Sequence, residues 1–135
     1  MKKVLTTLWV LTAFTCFCQV QVMVTNVIDA DTYQILWEGK IYNARLENVD
    51  APELKQHYGT IARDSVKKWI ERRSVTVLFN GNDRYGRKLV DVTIKNQPLD
   101  SLLISKGFAW HYARYSNKQD LSICEAAAKA KCIGL

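Results

Sequence analysis

The chain has 135 residues, 48% of them hydrophobic and 24% charged, with a formal net charge of +6. That length provides one domain with a real core and excludes two. The basic balance suits a polyanionic partner without proving one, because many basic domains bind no nucleic acid.

Residues 1–18 read as a secretory signal. Lys2 and Lys3 form a positive start, Val4 through Cys18 carries no charge, and Cys16 and Cys18 are small enough for the −3 and −1 positions of a cleavage site before Gln19. The alternative is an uncleaved anchor, since the next charge is Asp29, but the apolar run is short for a span. The expectation is a mature domain over residues 19–135, secreted or periplasmic, monomeric and without a stable membrane partner.

Val20, Val22 and Val24 alternate with Gln21, Met23 and Thr25 and lead into Val27-Ile28, a half-buried strand. Tyr33 to Trp37 is a second strand, Glu38-Gly39-Lys40 a hairpin turn, and Ile41 to Val49 a third strand ended by Pro52. Ile61, Ala62, Ser65, Val66, Trp69 and Ile70 recur at helical spacing and predict a helix from Gly59 to Arg72. Val75 to Phe79 and Leu89 to Ile94 are the fourth and fifth strands, joined by a glycine-containing loop. Pro98 and Gly107 bracket a second helix with Leu99, Leu102 and Leu103 as its buried face, and a third runs from Lys118 to Lys131. This order predicts an α+β, mainly β domain: a five-stranded Greek-key OB-fold barrel with three α-helices.

Cys124 and Cys132 remain after cleavage, in a compartment that permits disulfides. On one continuous helix their Cα atoms would stand ~12 Å apart, whereas a disulfide needs less than about 7 Å. A bridge therefore requires the helix to end before Cys132, or a partner chain.

Three polar signatures flank these strands. They are Asp29-Ala30-Asp31-Thr32, then Arg45 through Asp50-Ala51-Pro52-Glu53, then Asp83-Arg84-Tyr85-Gly86-Arg87. Asp31 and Asp50 are candidate ligands for a hard cation such as calcium, which accepts carboxylates, a carbonyl and waters. In isolation an Asp-x-Asp-Thr run is more simply a turn, with Thr32 supporting the turn or a carboxylate. Glu53, near the cation but not its main ligand, is a candidate general base. Glu47 is adequately explained by a surface ion pair. Arg45 and Arg87 suit a phosphate, because guanidinium binds its oxygens in a fork. Tyr85 is a candidate for phosphate or base contact, with packing on the barrel as the alternative. Of the cluster Trp110, His111, Tyr112, Arg114 and Tyr115, Trp110 reads as core and Tyr115 as an exposed stacking platform.

With these residues in place, the chain from Val20 to Leu135 resembles the staphylococcal nuclease (thermonuclease) family. The resemblance is carried by Val27 to Thr32, Arg45-Leu46, Asp50 to Glu53, Tyr58-Gly59, Asp83 to Arg87, and Gly107-Phe108-Ala109 with Tyr115. It implies an OB barrel and calcium-dependent cleavage of DNA and RNA that leaves 3′-phosphates. It further implies calcium carried by Asp31, Asp50 and the Ala51 carbonyl, and Glu53 as general base. Arg45 and Arg87 would bind phosphate, and Tyr85 and Tyr115 would contact the nucleotide. Ala30 stands where the family commonly has glycine, Ala51 where some members have threonine, and the loop from Glu53 to Tyr58 is short. The competing expectation is a non-catalytic nucleic-acid-binding domain on the same fold. The presence of Asp31, Asp50 and Glu53 argues against it.

Overall fold

The computed structural model describes residues 18–135. The expected signal over residues 1–18 therefore lies outside the described residues, save Cys18. No described helix is long and apolar enough to cross a membrane.

The chain opens with β1 (Val20–Asp29), β2 (Thr32–Trp37) and β3 (Lys40–Leu46), an antiparallel meander. After the two-residue β4 (Val49–Asp50) come α1 (Gly59–Ile70), β5 (Ser74–Asn82) and β6 (Lys88–Ile94). The short β7 (Gln97–Pro98), α2 (Leu99–Ser105), β8 (Trp110–His111) and α3 (Gln119–Ala130) complete the order. β5 pairs with both β1 and β6, and β6 returns to pair in parallel with β3. That last pairing closes β1, β2, β3, β5 and β6 into a barrel, the OB architecture expected from the element order.

Val22, Val24, Val27, Ile35, Val75, Val77, Val90 and Val92 fill the barrel. The alternation along β1 puts its valines inward and leaves Gln21 and Met23 outside. Ala62, Val66 and Ile70 are buried along one face of α1, while Ile61 is exposed, because it points about 100° round the helix from Ala62 and away from that face. Leu99, Leu103 and Ile104 bury α2; Leu102 is only partly covered.

The third strand is shorter than its sequence suggests. β3 ends at Leu46, the chain bends at Glu47-Asn48, and Val49-Asp50 leave the barrel to pair with His111-Trp110. Asn48 causes the bend. Its buried amide donates to Asp91 (2.6 Å) on β6 and to Asp100 (3.3 Å) on α2. Its carbonyl accepts from the Tyr112 amide (2.9 Å). Lys118 closes the network with contacts of 3.1 Å to Asp91 and 3.3 Å to Asp100, so the two carboxylates share one cation.

α3 ends before Cys132, as a bridge would require, yet both Cys124 and Cys132 are free thiols. Cys124 packs against the core while Cys132 is exposed. The C-terminal segment is held instead by backbone: Gly107, at φ 67°, lies flat against Ile133-Gly134, and the Leu135 amide donates to its carbonyl (3.1 Å).

Candidate active site

Barrel closure assembles the first two signatures. β2 and β3 pair in a register that sets Thr32 opposite Arg45, so Asp31, in the turn before β2, falls beside that arginine. The Arg45 guanidinium spans two carboxylates. One nitrogen lies 3.0 Å from Asp31 Oδ2 and the other 2.8 Å from Asp50 Oδ1. The Ala51 amide also donates to Asp31 Oδ2 (2.9 Å), and the Thr32 hydroxyl donates to Asp31 Oδ1 (2.8 Å). Thr32 thus supports a carboxylate, one of the two roles its position suggested. Asp31 is no ordinary turn residue: it is 3% exposed.

Ala30 is fully buried and has no left-handed φ, so alanine at this position costs no backbone strain. The Tyr33 hydroxyl donates to its carbonyl, which ties the turn to the core.

Burial, the largest influence on Asp31, pushes its carboxyl above the usual 3.8, and Asp50 adds to this. Arg45, the Ala51 amide and the Thr32 hydroxyl pull the other way. For Arg45, burial works against the charge, but Asp31 and Asp50 more than offset it and hold the guanidinium charged. The folded protein therefore holds the Asp31 proton more tightly than the unfolded chain does. This contribution to stability is complete below about pH 4 and disappears as pH rises through the folded pKa. Asp31→Asn, neutral at every pH, should accordingly gain Tm relative to wild type as pH rises from about 4 to 7 in metal-free buffer. Calorimetric scans across that range check it; a Tm difference that stays constant with pH would remove the desolvation argument.

The donor set suits a hard cation. Asp31 Oδ1 receives one hydrogen bond and keeps a lone pair, and Asp50, side chain 53% exposed, uses only one oxygen on Arg45. Among the described residues no group of three His, Cys, Asp or Glu side chains is close enough to enclose a metal. Two carboxylates here would need a backbone carbonyl and waters to complete a shell.

The third signature folds as a loop organised by Asp83. Its Oδ1 accepts from the Tyr85 and Arg87 amides, both at 2.9 Å, and its Oδ2 accepts from Arg87 Nε (2.7 Å). Burial alone would raise the Asp83 carboxyl, but these bonds and the Arg87 charge hold it below the usual range. Arg87 is thereby anchored through Nε with its two terminal nitrogens left for a ligand. Tyr85, 69% exposed, lies beneath Arg84 (4.8 Å to the ring centre) and Arg87 (5.6 Å) rather than packing on the barrel.

Arg45, Arg87, Tyr85 and Tyr115 line one groove of about 400 Å³. Tyr112, a member of the aromatic cluster noted in the sequence though not singled out there as a nucleotide contact, lines it too, its ring 4.9 Å from that of Tyr115. One turn, closed by the Tyr115 amide donating to the Tyr112 carbonyl, brings the two rings together at a 46° tilt. Glu47 also borders the groove; its carboxylate accepts from the Asn80 amide (2.8 Å), and among the described residues it makes no ion pair.

Glu53 falls in an adjoining pocket with Asp50, Ala51 and Trp110. The hydrogen-bonded Arg45–Asp50 pair separates this pocket from the groove. The short loop after Glu53 is tightly built: Gln56 donates its backbone amide to the Glu53 carbonyl (2.8 Å) and accepts the Glu53 amide on its side chain (2.9 Å). Gly59 completes the fit, because a Cβ there would collide with the Glu53 carbonyl. Gly59→Ala should cost ~1–3 kcal/mol by overpacking and should lower turnover by displacing Glu53. Melting curves and rates of the variant test this; full activity would detach Gly59 from the position of Glu53.

Trp110, expected in the core, is instead 37% exposed, because the two-residue β8 lies outside the barrel, paired only with β4. His111 turns partly inward, with Nδ1 2.9 Å from the Ser122 hydroxyl.

A family model described as staphylococcal nuclease homologue matches residues 43–135. An uncharacterized endonuclease of Escherichia coli is 34% identical over 113 residues, which cover 83% of this chain and 74% of that protein. A second uncharacterized endonuclease, from Haemophilus influenzae, is 32% identical over 113 residues, 83% of this chain and 64% of its own. A staphylococcal-like nuclease of Arabidopsis thaliana is 35% identical over 96 residues, 71% of this chain but only 30% of the plant protein. The barrel, the paired carboxylates on Arg45 and the match over most of its length together establish that this chain belongs to the staphylococcal nuclease family, enzymes that hydrolyse nucleic acid.

Proposed function

We propose that the protein is a calcium-dependent nuclease that cleaves DNA and RNA to 3′-phosphate ends, exported to the cell exterior or periplasm. The observation that carries this reading is the single guanidinium of Arg45 shared by Asp31 and Asp50 at the edge of a groove that also holds Arg87. It combines hard-cation ligands and phosphate ligands within one side chain's reach.

Arg45 and Arg87 would hold the phosphodiester from two sides of the groove and neutralise the charge that builds on its oxygens during attack. Tyr85 and Tyr115, both largely exposed, would support the attached nucleotide. Glu53, exposed to solvent beside Asp50, would take a proton from water as the oxygen attacks phosphorus. The bond from phosphorus to the 5′ oxygen then breaks, and that oxygen is protonated from solvent, leaving a 3′-phosphate and a 5′-hydroxyl. Calcium, held by Asp31, Asp50 and the Ala51 carbonyl, would supply further positive charge at the phosphate.

Export is proposed from residues 1–18. The decisive assay incubates the purified domain with single-stranded DNA or RNA, with calcium or excess chelator, and identifies the product ends. Cleavage that persists in chelator removes calcium from the reading. Binding without any cleavage would favour a non-catalytic nucleic-acid-binding domain.

A further inference from the structure

The pocket on the Glu53 side of the Arg45–Asp50 pair measures about 550 Å³ and has its own chemistry. Asp50, Glu53, Gln56, His57, Tyr58 and Trp110 line it. Trp110 is the cross-strand partner of Asp50, so the two side chains rise from the same face of the β4–β8 ribbon. An indole 37% exposed inside a concave surface, beside a carboxylate of the proposed reaction centre, offers a ring face to a planar ligand.

Charge decides which part of a nucleic acid can enter. No lysine or arginine lines this pocket, and its acidic side chains are Asp50 and Glu53, whose carboxylates disfavour further phosphates. The groove on the other side carries Arg45, Arg84 and Arg87. With the scissile phosphate held at the arginines, the acidic side favours a neutral heterocycle over a further phosphate. Gln56 accepts the Glu53 amide through Oε1, which leaves its side-chain NH2 available to donate to a base carbonyl.

We propose that this pocket receives a nucleobase, stacked on Trp110, from the nucleotide joined to the scissile phosphate on the side away from Tyr85 and Tyr115. The inference rests on the nuclease reading and extends it: the substrate strand crosses the Arg45–Asp50 pair with one base on either side. Efficient cleavage then requires bases flanking the phosphate on both sides, and Trp110 sets the affinity for one of them.

The test uses single-stranded deoxyoligonucleotides with one cleavable linkage, either intact or with an abasic residue on one side or the other of that linkage. Wild type, Trp110→Ala and Trp110→Phe are compared. On the intact strand Trp110→Ala should raise KM about tenfold, the scale of one lost base–aromatic stack, with kcat little changed and with most of the loss recovered in Trp110→Phe. With the base missing on the Trp110 side, wild type and Trp110→Ala should become equal; with the opposite base missing, the difference should persist. Equal KM on the intact strand, or the same loss on all three substrates, overturns the proposal. Should wild type cleave none of them, the nuclease reading fails, and anisotropy of the same labelled strands in excess chelator still decides the pocket. There, base-dependent weakening in Trp110→Ala sustains it and unchanged affinity overturns it.

Discussion

Glu53→Gln should fold and melt like the wild type while its turnover falls by about 10²–10⁴-fold, the usual contribution of a positioned general base. The side chain is exposed, and the interactions that shape its loop are made by backbone: the Glu53 amide to Gln56 Oε1, and the Glu53 carbonyl to the Gln56 amide. The substitution therefore removes a proton acceptor and little else. Binding of a single-stranded oligonucleotide should survive, because the three arginines of the neighbouring groove are untouched. Single-turnover rates measured beside a melting curve separate the two effects. Near-normal cleavage would exclude Glu53 as the base and turn attention to solvent or to Asp50.

Arg45→Ala should be the more damaging change, because it affects both fold and chemistry. Its guanidinium, 19% exposed, is the ionic partner of an Asp31 side chain that is 4% exposed. Deleting it leaves a buried carboxylate unpaired, a loss of about 3 kcal/mol, at the low end for buried pairs because Arg45 is partly solvated. Asp31 then answers by binding a proton more readily, which would also weaken it as a cation ligand. Turnover should fall at least 10²-fold through loss of a phosphate donor. Arg45→Lys distinguishes the two roles. A single ammonium restores charge beside Asp31 but cannot span Asp31 and Asp50 as a planar fork does, so stability should recover more than rate. If both variants melt with the wild type, the shared guanidinium is not a structural tie.

These expectations differ in how far they were legible from the residues. Asp31, Arg45, Asp50, Glu53 and Arg87 stand in short runs whose residue types already suggest phosphate chemistry. Valine alternation placed the strands that carry them. Turn chemistry was equally readable, as the Asp83 loop shows: an aspartate followed by exposed residues and a glycine accepts from the backbone amides of Tyr85 and Arg87 that follow it. Trp110 and Asn48 were another matter. Trp110 looked like core because large aromatics are usually covered, and a two-residue strand has no periodicity to contradict that. Asn48 sat within what read as a continuous strand, and its bend is produced by Asp91 and Asp100, 43 and 52 positions away.

What local residue patterns settled, then, is the order of strands and helices, the barrel class and the chemical groups on hand, since propensity, alternation and turn preference act over a few neighbours. Which groups meet was settled by long-range pairing. The parallel β3–β6 closure sets Arg45 alongside Leu89 of the strand that follows the Arg87 loop, and the β4–β8 bridge brings Asp50 to Trp110. Those contacts depend on closing a sheet on itself and on burying Asn48 and Asp31 with their partners. Such energies belong to segments distant in sequence and leave no repeat in either one. The separation of an arginine groove from an acidic, tryptophan-lined pocket across a single ion pair is the result of that closure.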